Sequence, residues 1–353
     1  MNSEKILKGV PKAYYGAGGV TPFPICLKAV SDFLGDPLDY TYAIVASGGA
    51  FRFAWDTAEW NPGNVAINHA YDDPERPFRQ GVTALGRDFQ ILWREGNNEW
   101  WRAGTGTKED FKAFIRVQID AGKPVIALGP LGPPEAAIIT GYRDGGDTLL
   151  GWSLFQWDAK TFSEEGYFTS TDYWDKAKGN DFVAVMSLGD VTAPRMGVKQ
   201  IVENAIAALE GRQEGKVAKG VAAYDAWKKA LLGATEKDFA MECGGQNLVM
   251  MCQGDATDCL ADGRHNANVW FKRLAEENPA EPLYGEIAEQ FAIVAKTITE
   301  KVYPLLGGYE RGAEQTKALE QPETRRQIAA HIDSMKAADE KALALMKELL
   351  AAM

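Results

Sequence analysis

Apolar and polar positions follow different periods in the two halves of the 353-residue chain. Before residue 190, short apolar runs are separated by turns rich in Gly and Pro, which predicts short elements joined by loops. After residue 190, apolar residues recur at helical spacing over long stretches, which predicts packed amphipathic helices. A turn signal at residues 189–194 marks the junction. We therefore expect one domain over residues 1–190 and a second over residues 191–353.

The first half is predicted to hold helices followed by strands. Apolar residues at helical spacing predict helices over residues 24–34 and 108–121, and a glycine follows each of them. Apolar runs predict strands over residues 124–129, 136–142, 148–155 and 182–188. A turn containing Gly-Gly at residues 143–147 joins the middle two strands as a hairpin. Helices followed by successive antiparallel strands indicate an α+β domain.

The second half is predicted to be all-α. Its apolar stripes run from Val198 to Leu209, from Val217 to Leu231, from Ile287 to Leu305 and from Leu343 to Leu350. Each stripe is typical of packing between helices and not of a cofactor site. We expect the helical faces that remain exposed to be compatible with a homodimer.

Composition narrows the classes of function. The chain has 38 Lys and Arg against 49 Asp and Glu, which gives a net charge of −11. Because an acidic surface repels a phosphate backbone, we expect no nucleic acid as a partner. Four cysteines are too few for a disulfide framework in a chain of this length. With no apolar run long enough for a signal peptide or a membrane span, the sequence predicts a cytoplasmic protein without membrane association.

Cys26 is the first candidate for chemistry. It is predicted to lie in the first turn or so of the helix over residues 24–34, where free backbone N–H groups and the helix dipole favour the thiolate. The thiolate is the form of cysteine that attacks as a nucleophile. The alternative interpretation is a small buried apolar residue, which is how most free cysteines behave. Position alone favours the buried interpretation.

The order of the predicted elements also bears on the role of Cys26. Cys26 is followed by two predicted strands, KPVIALG at residues 123–129 and PEAAIITGY at residues 134–142. This order resembles papain-like cysteine peptidases, including the double-glycine leader peptidases. It is most similar to the N-terminal domain of the butirosin-biosynthesis acyltransferase family. That group has a Gly-rich aromatic stretch after its cysteine helix, where this chain has SGGAFRF at residues 47–53, and the resemblance covers roughly residues 10–190.

The resemblance implies a papain-like domain that forms a thioester on Cys26 and performs acyl transfer or amide hydrolysis on a small metabolite. It also implies an acyl carrier protein as donor and backbone N–H groups near the helix start as the oxyanion site. Glu135 stands where the family has its catalytic His, and GWSLFQ at residues 151–156 lacks the family's Asn or Asp. The residues expected to contact the substrate are Trp152, Ser153, Gln156, Gly48 and Gly49.

A glutamate at residue 135 changes the chemistry that the family implies. A carboxyl with a pKa of about 4.3 takes a proton weakly from a thiol with a pKa of about 8.5. Burial would make Glu135 a better base, whereas its negative charge would oppose a thiolate at Cys26. Two hypotheses follow: catalysis through Cys26 with Glu135 as the base, or a catalytically degenerate protein that binds a small ligand in the former active-site cleft. A helical interaction scaffold is a third, supported by the apolar stripes alone.

Other side chains offer further alternatives. His69 lies in a loop-rich region and could act as a base, although a structural histidine is the commoner case. The candidate metal ligands are Cys243, Cys252, Cys259 and His265. Their spacings of nine, seven and six residues do not match the close pairs of a zinc site, and the Gly-rich runs match no nucleotide motif, so neither metal nor cofactor is expected. A candidate substrate wall consists of Trp93, Arg94, Asn97, Asn98, Trp100 and Trp101.

Overall fold

A computed structural model describes residues 3–97 and 101–353 of the chain. The chain divides into two compact units. The first comprises Met1–Ser47 and Asp73–Met196, and the second comprises Gly48–Asp72 and Gly197–Met353. The boundary thus falls after residue 196 and not after residue 190. The structure also assigns Gly48–Asp72, which was expected in the first domain, to the second unit.

The first unit combines antiparallel strands with helices, and labels follow chain order through both units. Its strands are β1 (Lys5–Ile6), β3 (Arg87–Trp93), β4 (Val125–Leu128), β5 (Ala136–Arg143), β6 (Thr148–Ser153), β7 (Thr161–Phe162), β8 (Phe168–Ser170) and β9 (Ala184–Val191). Its helices are α1 (Pro22–Phe33), α2 (Tyr40–Ala46), α3 (Arg76–Thr83) and α4 (Lys108–Asp120). Short 3₁₀ turns lie at Asp144–Gly146, Gln156–Asp158 and Lys176–Lys178.

The strands of the first unit form an antiparallel sheet in the order β3-β9-β4-β5-β6-β8-β7, and β1 also pairs with β5. Val125 of β4 lies between Ile139 of β5 and Ser187 of β9 in this register. Helix α1 packs against β4 and β5, and α4 packs against β5 and β9. All residues of β4 are buried, although successive side chains point to opposite faces of the sheet. The α+β prediction for this half is confirmed.

Helices dominate the second unit. They are α5 (Val198–Leu209), α6 (Ala222–Gly233), α7 (Glu236–Phe239), α8 (Leu248–Glu277), α9 (Leu283–Thr297), α10 (Tyr303–Leu305), α11 (Ala313–Glu320) and α12 (Pro322–Ala352), with a π-helical turn at Ile298–Val302 and a 3₁₀ turn at Ile67–Ala70. Its strands are β2 (Ala54–Asp56), β10 (Arg212–Glu214), β11 (Val217–Lys219), β12 (Glu242–Cys243) and β13 (Gln246–Asn247). The helical character is as predicted, but the all-α description is corrected by the sheet β10-β11-β2 and the hairpin β12-β13.

The small sheet explains the discontinuity of the second unit. Strand β2 pairs with β11, and the two come from distant parts of the chain. Phe53 and Trp55 are buried beside Trp227 of α6, whose ring lies 5.6 Å from that of Phe53 and 6.2 Å from that of Trp55. The apolar spacing that begins at Val217 resembled a helix because β11 is too short to show its own period. Its pairing with β2 made it a strand.

A buried ion pair joins α8 to α12. Arg264 donates from Nη2 to Asp339 Oδ2 at 2.7 Å, and neither side chain is exposed to solvent. Tyr224 of α6 donates to the same carboxylate at 2.7 Å. Nη1 of Arg264 donates to the carbonyl oxygens of Ala50 and Arg52 at 2.7 and 3.2 Å. The network ties three helices of the second unit to the segment that precedes β2.

Candidate functional site

Cys26 lies one turn inside helix α1. The helix begins at Pro22 after the extended N-cap residue Thr21, two residues earlier than predicted. A proline at the first helical position has a backbone angle already suited to a helix, which explains the earlier start. The amide of Cys26 is therefore beyond the four N–H groups that lack a partner within a helix. The expected position of Cys26 among free N–H groups is corrected accordingly.

The start of α1 also offers few donors for an oxyanion. Pro22 and Pro24 have no N–H group, so Phe23 supplies the only amide donor among the first three helical residues. The N–H group of Thr21 donates to the hydroxyl of Tyr40 at 3.2 Å. Acyl transfer needs N–H groups aimed at the developing negative charge. The helix start is therefore poorly equipped for the oxyanion role that was expected of it.

The thiol of Cys26 is fully buried, with 0% of the residue exposed. Burial raises the pKa of the Cys26 thiol, and the negative charge of Glu135 raises it further. Both effects oppose the thiolate that nucleophilic attack requires. The two predicted catalytic residues are thus close enough for electrostatic coupling, and burial together with that coupling keeps the thiol protonated.

Glu135 is placed by the loop between β4 and β5. It is half-buried and immediately precedes β5. Its carbonyl oxygen accepts from the N–H group of Gly129 at 3.0 Å, and its own N–H group donates to the carbonyl oxygen of Pro133 at 2.7 Å. Gly129 has a φ of +76°, and a Cβ there would lie 1.9 Å from the carbonyl oxygen of Asp181. Close packing at this glycine therefore fixes the loop that carries the glutamate.

Trp152, Ser153 and Gln156 build a turn at the end of β6. Trp152 donates from Nε1 to the carbonyl oxygen of Val10 at 2.9 Å. Gln156 accepts from the N–H group of Ser153 at 3.0 Å and donates to the carbonyl oxygen of Gly166 at 2.9 Å. The Ser153 hydroxyl accepts from the N–H group two residues further on, at 3.0 Å. These polar groups are engaged within the protein, so they shape the turn.

Gly48 and Gly49 belong to the second unit, whereas the two predicted catalytic residues belong to the first. Gly48 has a φ of +82°, and a Cβ there would lie 2.2 Å from Oη of Tyr71. The carbonyl oxygen of Gly49 accepts from Nη1 of Arg52 at 2.7 Å. Close packing within the second unit therefore accounts for the glycine at position 48.

The candidate substrate wall is largely packed into the first unit. Trp93 and Trp101 are buried, with 5% and 9% exposed. Arg94 lies over a neighbouring tryptophan ring at 3.9 Å from its centroid. Asn98 and Trp100 lie outside the described residues. The described members thus serve packing within the unit.

His69 is buried in the second unit. Burial lowers its pKa to about 3, and the positive charge of Lys219 adds to this effect, while Asp56 opposes it. The imidazole is therefore neutral at physiological pH. Among the residues that the structure describes, no group of three or more His, Cys, Asp and Glu side chains could hold a metal ion.

Sequence reasoning missed a cleft of about 490 Å³ in the first unit. It lies between the loop before Glu135, the 3₁₀ turn after β6, strands β7 and β8, and residues 178–180. We call it the polar cleft. Its lining includes Gly132, Asp158, Lys160, Thr169, Thr171 and Asp172. The signal for it in the sequence is the polar run TSTD at residues 169–172, which begins in β8, a strand too short to be recognised by its period.

Comparison of the chain with protein-family models found no match, and comparison with curated proteins found none either. Within residues 3–97 and 101–353, no helix combines the length and the apolar character that crossing a membrane requires. The interpretation of function therefore depends on the geometry within each unit.

Proposed function

We propose that the first unit is a papain-like domain that has lost catalysis and binds a small polar ligand in the polar cleft. The observation that carries the proposal is the complete burial of Cys26 beside a carboxylate that further disfavours its thiolate. Support for the papain-like relationship comes from α1, the cysteine helix, which packs against β4 and β5 of an antiparallel sheet. The cleft supplies the concave surface with several polar groups that a small ligand needs.

The charge of the base explains why catalysis fails. A catalytic imidazole starts neutral and becomes positive when it takes the proton of the thiol, so it then stabilises the thiolate beside it. A carboxylate starts negative and becomes neutral, so no such ion pair forms. Burial of the Cys26 thiol, with the negative charge of Glu135 adding to it, consequently keeps the thiol protonated.

Acyl transfer or amide hydrolysis through Cys26 is the second candidate function, with an acyl carrier protein as the donor. Its supporting observation is that Glu135 lies within electrostatic reach of Cys26. This function requires a thiol that reaches solvent and ionises in the native protein. The two candidates therefore differ in the reactivity that they assign to Cys26.

Iodoacetamide labelling of the native protein at neutral pH separates the two. We expect the exposed Cys243 to be modified, while Cys26 stays unmodified like the buried Cys252 and Cys259. Mass spectrometry of the tryptic peptides identifies each site, and labelling in urea, where all four cysteines should react, is the control. Faster labelling of Cys26 than of Cys243 would contradict the loss of catalysis.

A thermal-shift screen of small polar metabolites tests the binding part of the proposal. We expect at least one compound to raise Tm, because a ligand that binds the folded state stabilises it. Thr171→Trp places a large side chain at an exposed position in the cleft and should abolish the shift. Val117→Trp, at an exposed position on α4 that does not line the cleft, is the matched control. A screen in which no hit depends on Thr171 would overturn binding at the cleft.

A further inference from the structure

Three aromatic side chains form a surface at the turn that follows β6: Tyr15 and Trp157 are exposed, and Phe155 is half-buried. Trp157 is 67% exposed, and its ring stacks at 6.2 Å from that of Tyr15 and lies 5.3 Å from that of Phe155. Tyr15 is itself 42% exposed. A cluster of aromatic rings in contact with solvent lacks the free energy that burial would provide. Such a cluster indicates a contact surface. We call these three residues the aromatic platform.

Hydrogen bonds fix the turn that carries the platform. Trp157 lies in the 3₁₀ turn Gln156–Asp158. The Gln156 side chain bonds to the N–H group of Ser153 on one side and to the carbonyl oxygen of Gly166 on the other. A ring held in place before a ligand arrives loses little conformational freedom on binding. Ser153 and Gln156, which were expected to contact the substrate, thus position Trp157, which the sequence did not indicate as a contact residue.

The platform continues directly into the polar cleft. Asp158 is on the same turn as Trp157 and lines the cleft. Gly132 also lines it, and a Cβ at this glycine would lie 3.1 Å from Oδ2 of Asp158 and 3.5 Å from Cβ of Phe155. Because Gly132 has no side chain, the space between the aromatic platform and the polar cleft stays open. One ligand can therefore contact the platform and the cleft together.

The lining of the cleft is balanced in charge. It contains two carboxylates, from Asp158 and Asp172, and two ammonium groups, from Lys160 and Lys178. Lys160 already donates to Asp172 at 3.0 Å. The carboxylate of Asp158 has no hydrogen-bonding or ionic partner among the described residues, so its oxygens can accept from a ligand. The hydroxyl groups in the lining belong to Thr161, Thr169, Ser170 and Thr171.

We infer that the cleft binds a neutral saccharide, with one sugar ring stacked on Trp157 and its hydroxyl groups directed to Asp158 and the cleft. A pyranose ring has a face of C–H groups that packs on an aromatic ring, and hydroxyl groups at its edge that donate and accept hydrogen bonds. Such a ligand uses both the platform and the charge-balanced, hydroxyl-rich cleft. The inference rests on the proposed function, because it names the class of ligand for the same cleft.

Isothermal titration calorimetry with neutral trisaccharides tests the inference in the full chain. The probes are maltotriose, cellotriose, xylotriose, mannotriose and N,N′,N″-triacetylchitotriose. At least one should bind, and Trp157→Ala should weaken its affinity at least tenfold. Thr171→Trp should abolish binding. Tyr309→Ala removes another exposed aromatic side chain, in the second unit, and should leave the affinity unchanged.

The outcomes separate this inference from the proposed function. Saccharide binding that survives both Trp157→Ala and Thr171→Trp would place the sugar elsewhere and overturn the inference. A charged metabolite that binds the cleft in the thermal-shift screen, with no trisaccharide bound, would overturn the saccharide class and leave the proposed function in place. Absence of any ligand that depends on Thr171 would overturn both.

Discussion

At the scale of single residues, the surroundings of Cys26 decide its chemistry. The sequence placed a cysteine near a helix start and a carboxylate before a strand, and the structure couples the two electrostatically. A shift of the helix start by two residues moves Cys26 away from the free N–H groups, and complete burial raises the pKa of its thiol. Whether a side chain reaches solvent depends on what packs over it. The residue order around Cys26 does not contain that information.

Loss of the Asp339 carboxylate should strongly destabilise the second unit. That carboxylate neutralises the fully buried Arg264, and Asp339→Asn leaves that positive charge without compensation. We expect the free energy of unfolding, measured by urea titration, to fall by about 3–5 kcal/mol.

Asp333→Asn on the same helix is the matched control. The carboxylate of Asp333 pairs with Lys228 and is more than half exposed, so its loss should change the free energy of unfolding by less than about 1 kcal/mol. An equal fall in the free energy of unfolding for the two variants would show that burial does not determine the strength of the ion pair between Arg264 and Asp339.

At the scale of elements, the parts with local signals could be predicted. Helix α4 lies where apolar spacing placed it, because Thr107 and Asp110 form a capping box at its start. Strands β4, β5, β6 and β9 lie within or overlap the predicted apolar runs. Strands β7 and β8 have two and three residues, too few to show a period of two. The polar cleft lies against these two strands, which is why sequence reasoning missed it.

At the scale of the whole molecule, the chain enters the second unit early, returns to the first, and then completes the second. The early segment contributes Phe53 and Trp55 to the core of the second unit and pairs β2 with β11. It also supplies the carbonyl oxygens that accept from the buried Arg264. A single boundary near residue 190 would divide this core.

We therefore expect a fragment of residues 191–353 to lack a native core. It lacks the buried side chains of Phe53 and Trp55. It also lacks strand β2, which pairs with β11, and the carbonyl oxygen of Ala50, which accepts from Arg264. Its ¹H–¹⁵N correlation spectrum should show the narrow dispersion of a poorly packed chain.

A second fragment is the control, with residues 48–72 joined to residues 197–353 by a short Gly/Ser linker. The two pieces are in contact near the ends to be joined, since the hydroxyl of Tyr71 donates to the carbonyl oxygen of Asn204 at 3.2 Å. This fragment should give a dispersed spectrum. Native dispersion from residues 191–353 alone would contradict the role of the early segment.

The sequence by itself determined the α+β character of the first half, the helical character of the second and the approximate place of their junction. These features follow from periods and caps that act over a few residues. Only the tertiary structure decided that Cys26 is buried, that Gly48–Asp72 belongs to the second unit and that a polar cleft adjoins Trp157. Each of these depends on contacts between segments far apart in the chain, and burial and pairing over such distances leave no periodic signal in the residues involved.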